Sequence, residues 1–81
     1  MTQEKFLFNE IKLVFQKIIK RKINIKNKIY DFKEWDSLAN FNILLLCEKK
    51  FKLKFTTQEF SKLNSVKEIY NLVKKRSKKK A

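Results

Sequence analysis

A serine between an aspartate and a leucine, Asp36-Ser37-Leu38, is the segment of this chain best suited to chemistry. It stands just before an apolar run, Ile43 to Cys47, whose composition predicts a helix covered on more than one face. A hydroxyl at the first residue of a helix lies beside unpaired N–H groups and a partial positive charge, which suit a phosphate anion. The alternative interpretation is that Asp36 and Ser37 only cap the helix, as such residues often do.

Other kinds of active centre receive little support from the residue types. The chain has no histidine, so Ser37 lacks the usual general base of a serine hydrolase. Cys47 is the only cysteine, and its place in the apolar run indicates a core residue. One cysteine without histidine also leaves only carboxylates as metal ligands. We therefore expect no catalytic residues and no metal site.

Composition limits the class of protein. The 81 residues suffice for one small domain, and the absence of glycine and proline disfavours all-β architectures. A single cysteine excludes an intrachain disulfide and fits a reducing compartment. No apolar stretch approaches the roughly 18–20 residues of a transmembrane helix. Because Glu10, Lys12 and Gln16 interrupt the apolar residues near the N-terminus, a signal peptide is not indicated. The expectation is a soluble, cytoplasmic monomer.

The hydrophobic periodicity predicts an all-α fold, a small four-helix bundle with three main helices and one short helix. We expect Thr2 to cap the first helix, Thr56 or Thr57 the short one, and Ser65 with Glu68 to form a capping box. Residues 1–76 form the single domain. The predicted order is a helix over 3–20, a long loop folded onto the core over 21–36, a helix over 37–50, an extended connector over 51–55, a short helix over 57–60, a helix over 64–76 and a basic disordered tail over 77–81.

The predicted core combines residues from all of these segments. Its members are the apolar side chains that recur with helical spacing or alternate in the connector. They are Leu7, Ile11, Val14, Ile18, Leu38, Ile43, Cys47, Phe51, Phe55, Val66, Ile69 and Val73.

This order of elements resembles that of the acyl carrier proteins, small helical proteins that hold a phosphopantetheine arm on a serine. The resemblance covers nearly the whole chain and is most specific between Asp36 and Val73. The residues that carry it are Asp36-Ser37-Leu38, the apolar Phe41, Ile43 and Cys47, then Glu48, Phe51, Phe55, Glu59, Ser65-Val66 and Ile69.

The resemblance implies that Ser37 bears 4'-phosphopantetheine, which a phosphopantetheinyl transferase attaches from coenzyme A. Asp36 would help the transferase to recognise and orient the serine through its metal, and Leu38 would anchor the start of the helix in the core. The thiol of the arm, and not Cys47, would hold acyl groups as thioesters for fatty-acid, polyketide or related biosynthesis. The implied partners are acyl-loading and acyl-transferring enzymes.

Four aromatic and aliphatic residues are candidates for contact with cargo or partner enzymes: Trp35, Phe41, Leu45 and Phe60. For Trp35 a second interpretation stays open, in which it closes the core over the loop. The family often has glycine before the aspartate, and this chain departs from it with Glu34-Trp35.

The net charge of +13 is a second departure. Many acyl carriers are acidic, whereas the surface of the helix after Ser37 is expected to show Ala39, Asn40 and Asn42, with Lys49 and Lys50 at its end. Dedicated partner enzymes are therefore expected. The basic excess lies at the two ends of the chain, where it reflects either an anionic partner or an AT-rich coding sequence.

Two other functions are alternatives to an acyl carrier. An aminoacyl or peptidyl carrier domain would share the fold and the arm. A basic helical module could bind nucleic acid, but no recognition helix stands out among the basic segments, so nucleic acid is not the expected partner.

Overall fold

The computed structural model describes residues 2–78, with the side chains of residues 5–76. It contains the helices α1 (Thr2–Ile19), α2 (Ser37–Phe51), α3 (Thr57–Lys62) and α4 (Val66–Lys78). Helices α1, α2 and α4 pack against one another, which confirms the predicted all-α four-helix fold. Within residues 2–78, bridged extended backbone is limited to one antiparallel pair, Lys28 with Ser65.

The predicted helix bounds are close to those observed, with one correction at the end of the chain. Helix α4 continues through Ser77 and Lys78, so the predicted tail begins too early. The last residues of that tail, 79–81, and the predicted capping side chain of Thr2 lie outside the described residues.

Helix α1 is amphipathic, and its buried residues recur at helical spacing. Ile11, Val14, Phe15 and Ile19 are buried along one side, where they face α2 and α4. The helix ends where Lys20 takes a left-handed conformation with φ of 59°. Since the chain has no glycine, a lysine fills the place that glycine usually takes after a helix.

Helix α2 has a defined cap at each end. The Asp36 side chain accepts a hydrogen bond from the N–H of Ala39 at 2.9 Å, which satisfies one of the unpaired donors of the first turn. At the other end, Lys52 is left-handed with φ of 55°, and its N–H donates to the carbonyl of Glu48. These caps mark the two ends of α2, so that the helix begins at Ser37 and ends at Phe51.

The loop between α1 and α2 is ordered by its own hydrogen bonds and by its contacts with the start of α4. The Asp31 carboxylate accepts from the N–H of Lys28 at 2.8 Å. The N–H of Ile29 donates to the carbonyl of Asn64 at 2.8 Å, and that of Val66 donates to the carbonyl of Asn27 at 3.0 Å. The predicted folding of this loop onto the core is confirmed, since Ile23 and Trp35 are both buried.

The start of α3 is held by a full capping box, with Thr56 as the cap residue and Glu59 as its partner. Before α4, only half of the predicted capping box forms. The Ser65 hydroxyl accepts from the N–H of Glu68 at 3.2 Å, but the Glu68 carboxylate accepts from Asn64 instead of Ser65.

Most of the predicted core is buried, with four corrections. Leu38 is 69% exposed, and Leu7, Ile18 and Phe51 are only half-buried. The predicted core set omits six residues that are buried: Phe15, Ile19, Ile23, Trp35, Leu44 and Leu63. For Trp35 and Ile23, burial agrees with the predicted folding of the loop onto the core. Burial of each large apolar side chain contributes roughly 1.5–3 kcal/mol relative to exposure, so this set dominates the stability of the bundle.

The reason for the Leu38 correction is the direction in which α2 faces. The buried residues of this helix are Asn40, Ile43, Leu44 and Cys47. At about 100° per residue, Leu38 falls on the opposite side of the helix.

None of the helices in the described part of the chain combines the length and the apolar character needed to span a bilayer.

Candidate functional site

Ser37 is the first residue of α2, and its side chain is exposed. Helix geometry leaves the N–H groups of Ser37 and Leu38 without a carbonyl partner inside the helix. Asp36 lies directly beside the serine, with its Oδ1 atom committed to the cap. The structure thus brings an accessible hydroxyl, a carboxylate and the positive end of a helix together at one point.

The Ser37 hydroxyl has a hydrogen-bond partner that the sequence does not predict. The phenol oxygen of Tyr30 lies 2.8 Å from Ser37 Oγ, a hydrogen bond in which either group could donate. Tyr30 has a φ of 74°, in the left-handed region that bulky residues rarely occupy. Its N–H donates to the carbonyl of Trp35 at 2.8 Å, which fixes the loop beside the serine. No periodicity in the loop could have indicated this contact.

A groove of about 350 Å³, open to solvent, runs beside Ser37. We call it the Ser37 groove. The rings of Phe41 and Phe60 lie 5.2 Å apart and form its apolar side. Two of the predicted contact residues therefore line the same groove as the serine. The groove is lined by Ile29, Tyr30, Ser37, Asn40, Phe41, Phe60, Ser61 and Asn64.

Asn40 joins the groove to the core and is only 5% exposed, contrary to its expected place on the helix surface. Its Oδ1 accepts a hydrogen bond from Trp35 Nε1 at 2.9 Å. Its Nδ2 donates to the carbonyl of Leu63 at 2.8 Å, so both ends of the amide are satisfied. The side chain therefore links α2 to the loop before it and to the end of α3.

Trp35 is fully buried, with its ring edge-on to Phe15 at a centroid distance of 4.9 Å. The structure supports the interpretation that it closes the core over the loop. A surface contact with cargo or partner would need an exposed ring, so Trp35 does not belong with the other contact candidates in this structure.

Three exposed apolar residues follow one face of α2, opposite its buried side: Leu38, Phe41 and Leu45. We call them the α2 apolar stripe. They are spaced by three and four residues, which places them in a row along the helix. The stripe begins at Leu38, next to Ser37. Leu45, the third predicted contact residue on this surface, belongs to the stripe and does not line the groove.

The charges within α2 lie at its far end, since the turn that follows Asp36 is uncharged. Its first turn contains no acidic residue, while its last turn has Lys49 and Lys50. The ammonium of Lys50 pairs with Glu10 at 2.8 Å. The one acidic residue of α2 is Glu48, which is half-buried and accepts a hydrogen bond from the N–H of Phe55.

Cys47 has a different environment from Ser37. Burial raises the pKa of the Cys47 thiol to about 12, which keeps it protonated and unreactive near neutral pH. Among the described residues, no three or more His, Cys, Asp or Glu side chains group together in a way that could hold a metal ion.

Comparison with protein-family models, with curated proteins and with solved structures gives no significant match.

Proposed function

We propose that this chain is an acyl carrier protein that bears 4'-phosphopantetheine on Ser37. The observation that carries the proposal is the exposed hydroxyl of Ser37 at the first residue of α2, on the edge of a groove with an apolar side. The order of one long helix, an ordered loop, the Asp-Ser-Leu helix, a short helix and a final helix agrees with the resemblance. When bound, the arm would supply a terminal thiol that holds acyl groups as thioesters.

The residues around Ser37 fit such a group. The hydroxyl is accessible to an enzyme, and the first turn of α2 offers N–H groups and a partial positive charge to a phosphodiester. The Asp36 carboxylate uses Oδ1 for the cap, and a carboxylate has further acceptor capacity on its second oxygen. That oxygen could bind the metal of a transferase during the reaction.

The modification itself needs a separate enzyme. Ser37 Oγ would form a bond to the phosphorus of coenzyme A that bears the pantetheine, and the bond from that phosphorus to the bridging oxygen of the pyrophosphate would break. Adenosine 3',5'-bisphosphate would leave. The hydroxyl proton would pass to a base on the transferase, since this chain has no histidine to accept it.

The α2 apolar stripe supports a role in docking the enzymes that must reach Ser37. Leu38, the most exposed of its members, is the residue next to the serine. An apolar stripe without acidic residues suits partners whose docking faces are apolar or neutral rather than strongly basic. We therefore propose that its acyl-loading and acyl-transferring enzymes are dedicated ones. The proposed carrier is a monomer in a reducing cytoplasm. If a ketosynthase that normally uses acidic carriers accepted this chain equally well, dedicated partners would be excluded.

The test is incubation with coenzyme A and two phosphopantetheinyl transferases of different carrier specificity, followed by intact-mass measurement. The expected result is a gain of one phosphopantetheine by the wild-type chain and by Ser61→Ala, and no gain by Ser37→Ala. Ser61 is the matched control, because it is an exposed serine that lines the same groove. No gain by wild-type protein with either transferase, when circular dichroism shows it folded, would refute the proposal.

A further inference from the structure

Tyr30 is an aromatic residue in the loop before α2, and its phenol oxygen lies 2.8 Å from Ser37 Oγ. We propose that Tyr30 is a positioning residue whose phenol donates a hydrogen bond to the phosphodiester on Ser37 and so holds the base of the arm beside the Ser37 groove. The inference rests on the proposed function and adds to it a binding role for a residue outside the Asp-Ser-Leu segment.

The chemistry of the hydrogen bond changes when the serine is modified. In the unmodified chain, phenol and serine hydroxyl can each donate or accept. In a phosphodiester, Ser37 Oγ has no proton, so the phenol is left as the donor of the pair. The charged oxygens on the adjacent phosphorus are stronger acceptors than the serine hydroxyl. A contact already made in the unmodified chain therefore becomes a charge-assisted one.

The loop holds the Tyr30 backbone in place. Its N–H is bonded to the carbonyl of Trp35, and the residues on either side are bonded as well, Ile29 to Asn64 and Asp31 to Lys28. Among the described residues, three are left-handed: Lys20, Tyr30 and Lys52. Lys20 and Lys52 each follow a helix end, where this conformation is common, whereas Tyr30 lies inside the loop. The neighbouring hydrogen bonds therefore maintain an unfavourable backbone geometry that aims the phenol at Ser37.

Placement of the phosphate by Tyr30 has a consequence for the arm. Tyr30, Ser37, Phe41 and Phe60 all line the Ser37 groove. An arm whose first atoms are held by the phenol begins at the edge of that groove, next to its apolar side. Loss of the phenol would leave the attachment point with fewer fixed contacts.

The experiment is a thermodynamic cycle on three chains, wild type, Tyr30→Phe and Tyr70→Phe, each prepared without and with the arm. Tyr30→Phe removes only a hydroxyl, and Tyr30 is 66% exposed, so the variant retains its packing. Tyr70→Phe is the matched control, because Tyr70 is the one other tyrosine of the chain. Melting is followed by circular dichroism, and the phosphodiester by ³¹P NMR.

We expect the Tm difference between the modified and unmodified forms to fall by about 4–8 °C in Tyr30→Phe and to stay unchanged in Tyr70→Phe. The ³¹P resonance of modified Tyr30→Phe should also move towards that of the unfolded modified chain. Equal Tm differences in all three chains with unchanged ³¹P resonances would overturn the role of Tyr30 and leave the carrier function intact. Failure of every chain to accept the arm would instead overturn both.

Discussion

Replacing Asn40 with alanine should destabilise the bundle by about 2–4 kcal/mol. The amide accepts from Trp35 Nε1 and donates to the carbonyl of Leu63, and it is almost fully buried. Alanine would leave both partners without a hydrogen bond, and each unsatisfied buried group costs roughly 1–3 kcal/mol. We place the total in the lower part of the summed range, because Asn40 borders the groove and water can reach part of the vacated space.

This cost is large for a small domain. Stabilities of such domains are about 5–15 kcal/mol, and each kcal/mol shifts the Tm by roughly 4–8 °C at this size. Urea unfolding followed by far-ultraviolet circular dichroism measures the change directly, since the signal comes from the helices. Asn42→Ala is the control, because Asn42 is exposed on the same helix. It should change the stability by no more than about 0.5 kcal/mol.

A second substitution tests whether the hydrogen bond itself is responsible. Trp35→Phe removes the donor to Asn40 and leaves the amide oxygen unpaired. In the double variant the two losses overlap, so its cost should fall short of the sum of the single variants by about 0.5–3 kcal/mol. Strict additivity, or an Asn40→Ala cost below about 1 kcal/mol, would refute the linkage of groove and core through this amide.

Three further outcomes follow from the structure. The Cys47 thiol should not react with a disulfide reagent in the folded chain at pH 8 and should react once on unfolding, because burial raises its pKa to about 12. Hydrogen bonds from Arg76, with a smaller contribution from the Thr56 backbone, hold the pKa of Glu59 below its ordinary value near 4.5. The ionised Glu59 therefore stabilises the fold fully above about pH 4.5, and this stabilisation is lost as the pH falls through the lower folded-state pKa. The stability difference between wild type and Glu59→Gln, measured by urea unfolding, should therefore be larger at pH 6 than at pH 3. Leu38→Ala should change the stability by less than about 0.5 kcal/mol, because the side chain is exposed, and should slow arm transfer by the transferase.

Each of these outcomes has a specific contradiction. Reaction of folded Cys47 at the rate of the unfolded chain would show that α2 is not packed as described. A gap between wild type and Glu59→Gln that is equal at both pH values would mean that the ionisation of Glu59 adds nothing to the stability. For Leu38→Ala, a loss of stability above about 2 kcal/mol would indicate that Leu38 is a core residue. Leu53→Ala, at a half-buried position, serves as its comparison.

The sequence was sufficient to predict the helices because their apolar residues recur with a clear period. It was not sufficient for the direction of α2, since positions 43–47 are apolar on nearly every side and do not show which face is buried. The sequence therefore predicts Leu38 in the core and Asn40 on the surface, and the structure reverses both. Only the packing of α2 against α1 and α4 determines that direction.

The candidate site was predictable to a similar degree. Strong local preferences at helix starts predict the Asp36 cap and the start of α2 at Ser37, and Phe41 and Phe60 line one groove with the serine. The assignment of Ser37 as the modified residue comes from the resemblance and stays a prediction. The sequence does not indicate the contact of Tyr30 with Ser37, because that contact depends on a left-handed backbone in a loop without periodicity. Such a conformation in a non-glycine residue leaves no pattern in the sequence.

The hydrogen bond between Trp35 and Asn40 also makes the chain its own optical probe. Trp35 is the single tryptophan, so all indole fluorescence comes from one buried ring. Its Nε1–H is bound to the side chain that borders the Ser37 groove. A molecule that enters the groove and disturbs Asn40 would change the emission of this ring without touching it. Occupancy of the groove could thus be followed in the unlabelled protein, in real time and at low concentration.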